Sequence, residues 1–235
     1  MSTQQDGTGK YQDQVQQAIA KHSTANIDKY VQTSTFAEDE IHEAIRGHIH
    51  LEWKTWFFYR KLGADASRAN VSLHGFATLF KKAAAECFAD GMWFESYLIQ
   101  RGGRAKPTDI PAPKTHFPDN PVDPVIPIHE ALQYEKELLE DLLRLCKTAD
   151  KHNDYALEDV IETRFLKKET KYVKDMADLL QQCVRVSKDI GHGVYHLDKE
   201  LRQNNGIVPW GHNNNPDSSD TSLHEATRRL GEAAL

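Results

Sequence analysis

Cysteine is scarce in this chain of 235 residues, with only Cys87, Cys146 and Cys183. They lie far apart, without a Cys-x-x-Cys pair and in odd number, which excludes a disulfide scaffold and a zinc ribbon. Such usage suits a reducing compartment, and a cytoplasmic location is the expectation. The sequon Asn70-Val71-Ser72 keeps a secreted mature form as the alternative, since no signal peptide is visible in the polar residues 1–10. No run of about 18 apolar residues occurs, so no membrane partner is expected. Basic excess is lacking too. Lys plus Arg number 29 against 35 Asp plus Glu, a net charge of -6, which argues against nucleic acid as a partner. Strand-like alternation of β-branched residues is nearly absent, which excludes a sheet protein. Proline is rare outside one segment, because seven of the nine lie between Pro107 and Pro127. What remains, 39% hydrophobic and 27% charged, is enough to bury a core.

Four long helical patterns are present, over residues 39–62, 71–101, 128–151 and 157–188, with a short fifth over 194–203. Gly102-Gly103 closes the second and Gly191 follows the fourth, both glycine stop signals. The first two helices, and the third and fourth, are joined by short loops and should be antiparallel neighbours. The proline-rich stretch 104–127 differs. A helix of about 30 residues is roughly 45 Å long, whereas this stretch can extend to about 80 Å. It can therefore run the length of a bundle and start the third helix parallel to the second. The predicted fold is all-α, a four-helix bundle with one long crossover and a short fifth helix. Residues 1–38 read as an N-terminal extension, with an amphipathic stretch through Tyr11, Val15, Ile19, Ile27, Tyr30 and Val31. Residues 39–203 form the bundle. Residues 204–235 read as a C-terminal extension, with a capping-box spacing at Ser222–Glu225 ahead of Leu230 and Leu235.

The buried face of each long helix, followed in steps of three and four, gives four stripes. They are Ile45, Ile49, Glu52, Trp56, Tyr59; Phe76, Phe80, Ala83, Cys87, Asp90, Phe94; Ile128, Ala131, Glu135, Leu138, Leu142; and Phe165, Glu169, Tyr172, Met176, Leu179. Each stripe carries one acid near mid-helix. A solvated stripe edge explains any one of them, but four in four helices point to a common layer. Buried carboxylates persist only if protonated, hydrated or paired with a cation. Oxygen donors from facing helices suit a hard or borderline metal such as iron.

From about residue 43 to 203 the chain resembles ferritin. The resemblance rests on Leu51-Glu52 with Tyr59 two turns later, Gln100-Arg101-Gly102-Gly103-Arg104, Glu135-Lys136, Asn153-Asp154 and Asp159-Val160-Ile161-Glu162-Thr163. It implies a hollow shell of twenty-four subunits, homo- or hetero-oligomeric, that admits Fe2+ and stores Fe3+ as mineral. Active ferritin subunits hold a di-iron ferroxidase centre made of a Glu, a Glu-x-x-His, a second Glu and a Gln, with a nearby Tyr. Glu52, Glu135 and Tyr59 match. The Glu-x-x-His positions hold Cys87 and Asp90, and the Gln position holds Glu169. The bridging carboxylate and the imidazole are both missing, as the whole centre is from light-chain-type subunits. The resemblance thus implies no efficient catalytic residues. It leaves one weak metal site of Glu52, Asp90, Glu135 and Glu169, with Tyr59 and Cys87 as neighbours, Cys87 also reading as a small core residue. Iron oxidation would then come from a ferroxidase-active partner subunit. A modified working centre, or a shell protein without an iron role, are the alternatives. Asp159 and Glu162 occupy the positions that ring the family's three-fold pore, Glu158 adds a further acid, and Cys146 lies beside it; unaided, they read as an acidic helix start. Glu86, with Asp90 and Glu95 beside Lys81 and Lys82, makes a sparse acidic cavity face. His42, His48 and His50 read as surface or packing residues.

Overall fold

The structure is a computed structural model describing residues 7–23, 31–187 and 191–211. Its helices are α1 (Gly7–Ser23), α2 (Asp39–Ala66), α3 (His74–Gln100), α4 (Val125–Lys151), α5 (Tyr155–Val160), α6 (Lys167–Val186) and α7 (His192–Gln203), with a π-helical segment, Ile161–Leu166, joining α5 to α6. Four long rods pack as α2 on α3, α4 on α6 and α2 on α4, and α7 lies on α3 and α6. This is the expected four-helix bundle with a short fifth helix.

The crossover can be followed along α2. Arg46 Nε donates to Arg104 O, His50 pairs with Thr108 at 2.7 Å, Phe117 N donates to Asp65 Oδ2, and Asp119 takes Arg68. From Arg46 to Asp65 is about 28 Å of helix, so the loop runs most of the bundle's length. Pro127 does not delay α4, which starts at Val125, because a first-turn N–H has no helical partner to lose. α2 runs four residues past its expected end. Gly63 does not stop it; the residue lets α3 approach, since a Cβ there would meet Lys81 Cγ at 3.1 Å.

The fourth rod was expected as one uniform α-helix. Its buried residues Leu157, Ile161, Phe165 and Glu169 instead recur at steps of four. In an α-helix each such step overshoots a full turn by about 40°, and the stripe would drift out of the core. The wider π turn absorbs that drift.

The core has two apolar clusters. One holds Tyr59, Phe76, Phe80, Cys87, Phe117 and Met176; the other holds Phe36, Ile45, Phe94, Leu142 and Phe165. The predicted acids fall along the boundary between them. α1 exposes Tyr11, Val15 and Ile19. Beyond Gln203 the packed body continues, with Val208 buried and Gly206, at φ +75°, against Leu79. The segment from Ser222 to Leu235 lies outside the described residues, as do Ile27 and Tyr30.

α7 closes one end of the bundle through an unusual cap. The N–H groups of Gly75 and Phe76 donate to Asp198 Oδ1 at 2.7 and 3.0 Å, so a side chain of α7 satisfies the start of α3. A Cβ on Gly75 would lie 1.9 Å from Asp198 O. Replacing Gly75 with Ala must therefore push α7 off α3, at a cost of about 1–3 kcal/mol. Chemical denaturation should show a lower midpoint for Gly75→Ala. An unchanged midpoint would mean that the α3–α7 contact carries little stability.

Candidate metal centre

Glu52 from α2, Cys87 and Asp90 from α3, Glu135 from α4 and Glu169 from α6 line one small cavity of about 20 Å3. That volume holds about one water-sized occupant. Four of the helices thus deliver their mid-stripe residues to one point, as the sequence pattern implied. Tyr59 joins through Glu135, whose Oε1 accepts from the phenol. Among the described residues, no three His, Cys, Asp or Glu side chains are arranged to hold a metal ion.

The electrostatics follow from burial. Glu52, Glu135 and Glu169 are 4%, 4% and 6% exposed. Desolvation raises the pKa of all three, and Glu169 is held well above the usual carboxylate range because Glu135 faces it. Two like charges so close in a buried place disfavour each other, so the pair favours protonation of Glu169. Oε1 of Glu169 and Oε2 of Glu52 are buried without a hydrogen-bond partner. The Cys87 thiol is pushed well up by burial, then by the surrounding carboxylates, and is neutral.

Two cations meet these acids, and neither was read from the sequence as part of the site. Lys168 pairs directly with Asp90 Oδ2. His48, fully buried, contacts Asp141 on α4 at 2.8 Å and Glu52 at 3.4 Å, with Phe94 edge-on to its ring. The Asp141 contact is the aligned hydrogen bond; His48 Nε2 has no hydrogen-bond partner. Of the two readings, surface or packing, His48 thus takes the second, as a core residue between two acids. His42 is buried against Phe36, with ring centroids 4.8 Å apart, and His50 sits on the crossover. A signal existed for His48, which is four residues before Glu52 on the same face. Lys168 had none, because it precedes Glu169 off the buried stripe and reaches Asp90 only by its long stem.

The acids expected at a three-fold pore lie elsewhere. Asp159 and Glu162 are exposed and Glu158 is half-buried at the start of the fourth rod. Glu162 and Glu158 lie near Cys146, whose thiol is pushed up to about 11 by partial burial and by Glu162, Glu158 and Asp150. Glu86 lines the rim of the core cavity, its pKa raised by burial.

A four-helix bundle with a long crossover and a carboxylate layer in its core defines the ferritin-like class. Residues 42–186 match the family described as the ferritin-like domain, and the chain belongs to the ferritin family. It is 32% identical over 171 residues to chloroplastic ferritin-3 of Glycine max, covering 72% of this chain and 66% of that one. It is 34% identical over 164 residues to chloroplastic ferritin-2 of Arabidopsis thaliana, covering 69% and 64%. Against the chloroplastic ferritin of Malus baccata var. xiaojinensis the identity is 33% over 166 residues, covering 69% and 65%. The chain spans a little under two thirds of the length of these relatives.

The His48 network makes stability depend on pH. Burial opposes the imidazolium, but Asp141 and Glu52 outweigh it and push the pKa up to about 9. A raised pKa means the contribution is complete below the unfolded value, about 6.5, and is lost as pH rises through about 9. The most it can contribute is about 3 kcal/mol. Urea midpoints of the wild type should therefore fall more steeply between pH 6.5 and 9.5 than those of His48→Gln. Parallel curves would show that His48 is neutral in the folded protein.

Proposed function

We propose that this chain is an iron-storage subunit of a ferritin shell, with its own ferroxidase chemistry weak or lost. Supporting the reading is one observation above all: the acid layer is retained, but a neutral thiol and a lysine-bound aspartate stand at the two α3 positions. Glu52, Glu135 and Glu169 bring carboxyl oxygens, the donor type a hard or borderline cation prefers, to one cavity, but not in a three-residue grouping arranged to hold it. Coupled oxidation of two ferrous ions needs both held a few ångströms apart, normally by a bridging carboxylate. The Cys87 side chain is too short for that bridge, and its neutral thiol is a poor ligand. Iron here is cargo. Fe2+ passes rings of Glu158, Asp159 and Glu162 where subunits meet on a three-fold axis, and Glu86 offers an acidic surface beyond. A partner subunit with an intact centre supplies oxidation in a mixed shell, and Fe3+ is held as mineral. The compartment belongs to the same reading. The relatives are named as chloroplast proteins, and the cysteine usage suits any reducing compartment.

A modified working centre is the second reading, favoured by the meeting of Glu52, Glu135, Glu169 and Tyr59 at one cavity. Stopped-flow oxidation of Fe2+ by the purified homopolymer separates the two. The storage reading expects no saturable fast phase in this chain alone and rapid turnover once an active subunit is mixed in. A fast saturable phase in the homopolymer would establish the second reading.

Admission is tested separately. Replacing Asp159 with Asn and Glu162 with Gln removes charge and keeps shape, so shells should assemble normally and load iron more slowly. Equal loading rates would reduce these acids to partners of the helix dipole.

A further inference from the structure

The core cavity has a feature that the substitutions at Cys87 and Asp90 do not account for. Lys168 extends from the fourth rod, passes the face of Phe165 at 5.7 Å and places its ammonium against Asp90 Oδ2. Its side chain is 34% exposed and that of Asp90 is 16% exposed, so the pair sits at the cavity wall rather than on the surface. The cavity between Glu52, Asp90, Glu135 and Glu169 has room for about one water. On its far side Glu52 already faces the His48 ring.

We propose that Lys168 is a built-in counter-cation that fills the cation place beside Asp90 and so determines which metals the centre accepts. The inference deepens the storage reading and rests on it only for the identity of the physiological metal. A divalent ion bound at Asp90 Oδ2 must displace the ammonium, and one bound at Oδ1 sits directly beside it. An ion bound instead between Glu52, Glu135 and Glu169 shares a small cavity with the same positive charge, and like charges at such short range repel. With a lysine in place, the centre cannot hold a pair of metals. Rebuilding the missing ligands alone, as Cys87→Glu with Asp90→His, leaves the ammonium facing a new imidazole and does not restore two cation places.

The test is Co2+ binding to the iron-free shell, read by calorimetry and by the visible spectrum of the bound ion. The channel acids also bind Co2+, so the core component is defined as the part that Glu169→Gln removes. Lys168→Gln should strengthen that component on the order of a hundredfold over wild type. Lys168→Arg, which keeps the charge and changes the shape, should bind as the wild type does. No gain in Lys168→Gln, or an equal gain in Lys168→Arg, overturns the proposal. If Lys168→Gln fails to assemble, Lys168→Met keeps the stem packed on Phe165 and is read in the same way. The unaltered shell gives an independent measurement, because a tight Co2+ site in wild type that Glu169→Gln removes refutes the proposal whatever the variants do. Failure of the wild-type shell to retain iron would sink the storage reading and leave these binding results standing.

Discussion

The controlling constraint in this molecule is the burial of acid. Three glutamates with almost no exposure sit between two apolar clusters, in a place where an isolated carboxylate is costly. The surrounding structure meets that cost locally. Burial and the nearby Glu135 favour the protonated form of Glu169, Tyr59 donates to Glu135, and Glu52 has His48. Asp90, less buried, takes Lys168. Helix order, the crossover and the π turn are the means by which five residues from four rods reach one point.

This arrangement explains how the layer can be buried without a bound metal. A metal centre built from carboxylates is stable as protein only when cations arrive. Here protons and side-chain cations do part of that work, so the layer folds without depending on metal supply. Stability of the bundle is thereby separated from occupancy of the cavity. Buried ion pairs add little net stability when compared with apolar packing. The layer is therefore better understood as an inheritance of its architecture than as a device for holding the bundle together.

Much of this was legible in the sequence. The concentration of proline in one stretch gave the crossover, and the helix-period stripes gave the rods and the meeting of Glu52, Cys87, Asp90, Glu135 and Glu169. Element ends were less legible. The expected end of the first rod at 62 and start of the third at 128 both fell short, because Gly63 serves close approach inside α2 and Pro127 in a first turn loses no bond. The π turn was encoded in the steps of four from Leu157 to Glu169 and was missed by assuming one helix type. Asp141, reaching His48 from another helix, has no local signature at all. Lys168 was invisible for a different reason, since a long flexible side chain can act well off the face its Cα occupies.

The cap on α3 has a consequence for how the chain is made. The N–H groups of Gly75 and Phe76 are satisfied by Asp198, more than 120 positions later. The helix that carries Cys87 and Asp90 therefore emerges from the ribosome long before its terminal partner. Contacts so distant in sequence are slow to form, because a large loop must close before they reward it. Until α7 arrives, the start of α3 has only water for its N–H groups, and the faces that α7 will cover are open. The bundle can collapse early, but its last end is sealed only after nearly the whole described chain has been synthesised. In the interval the face of α3 that α7 will cover stays open, and it is in that interval that pairing with another chain would compete with completion of its own fold.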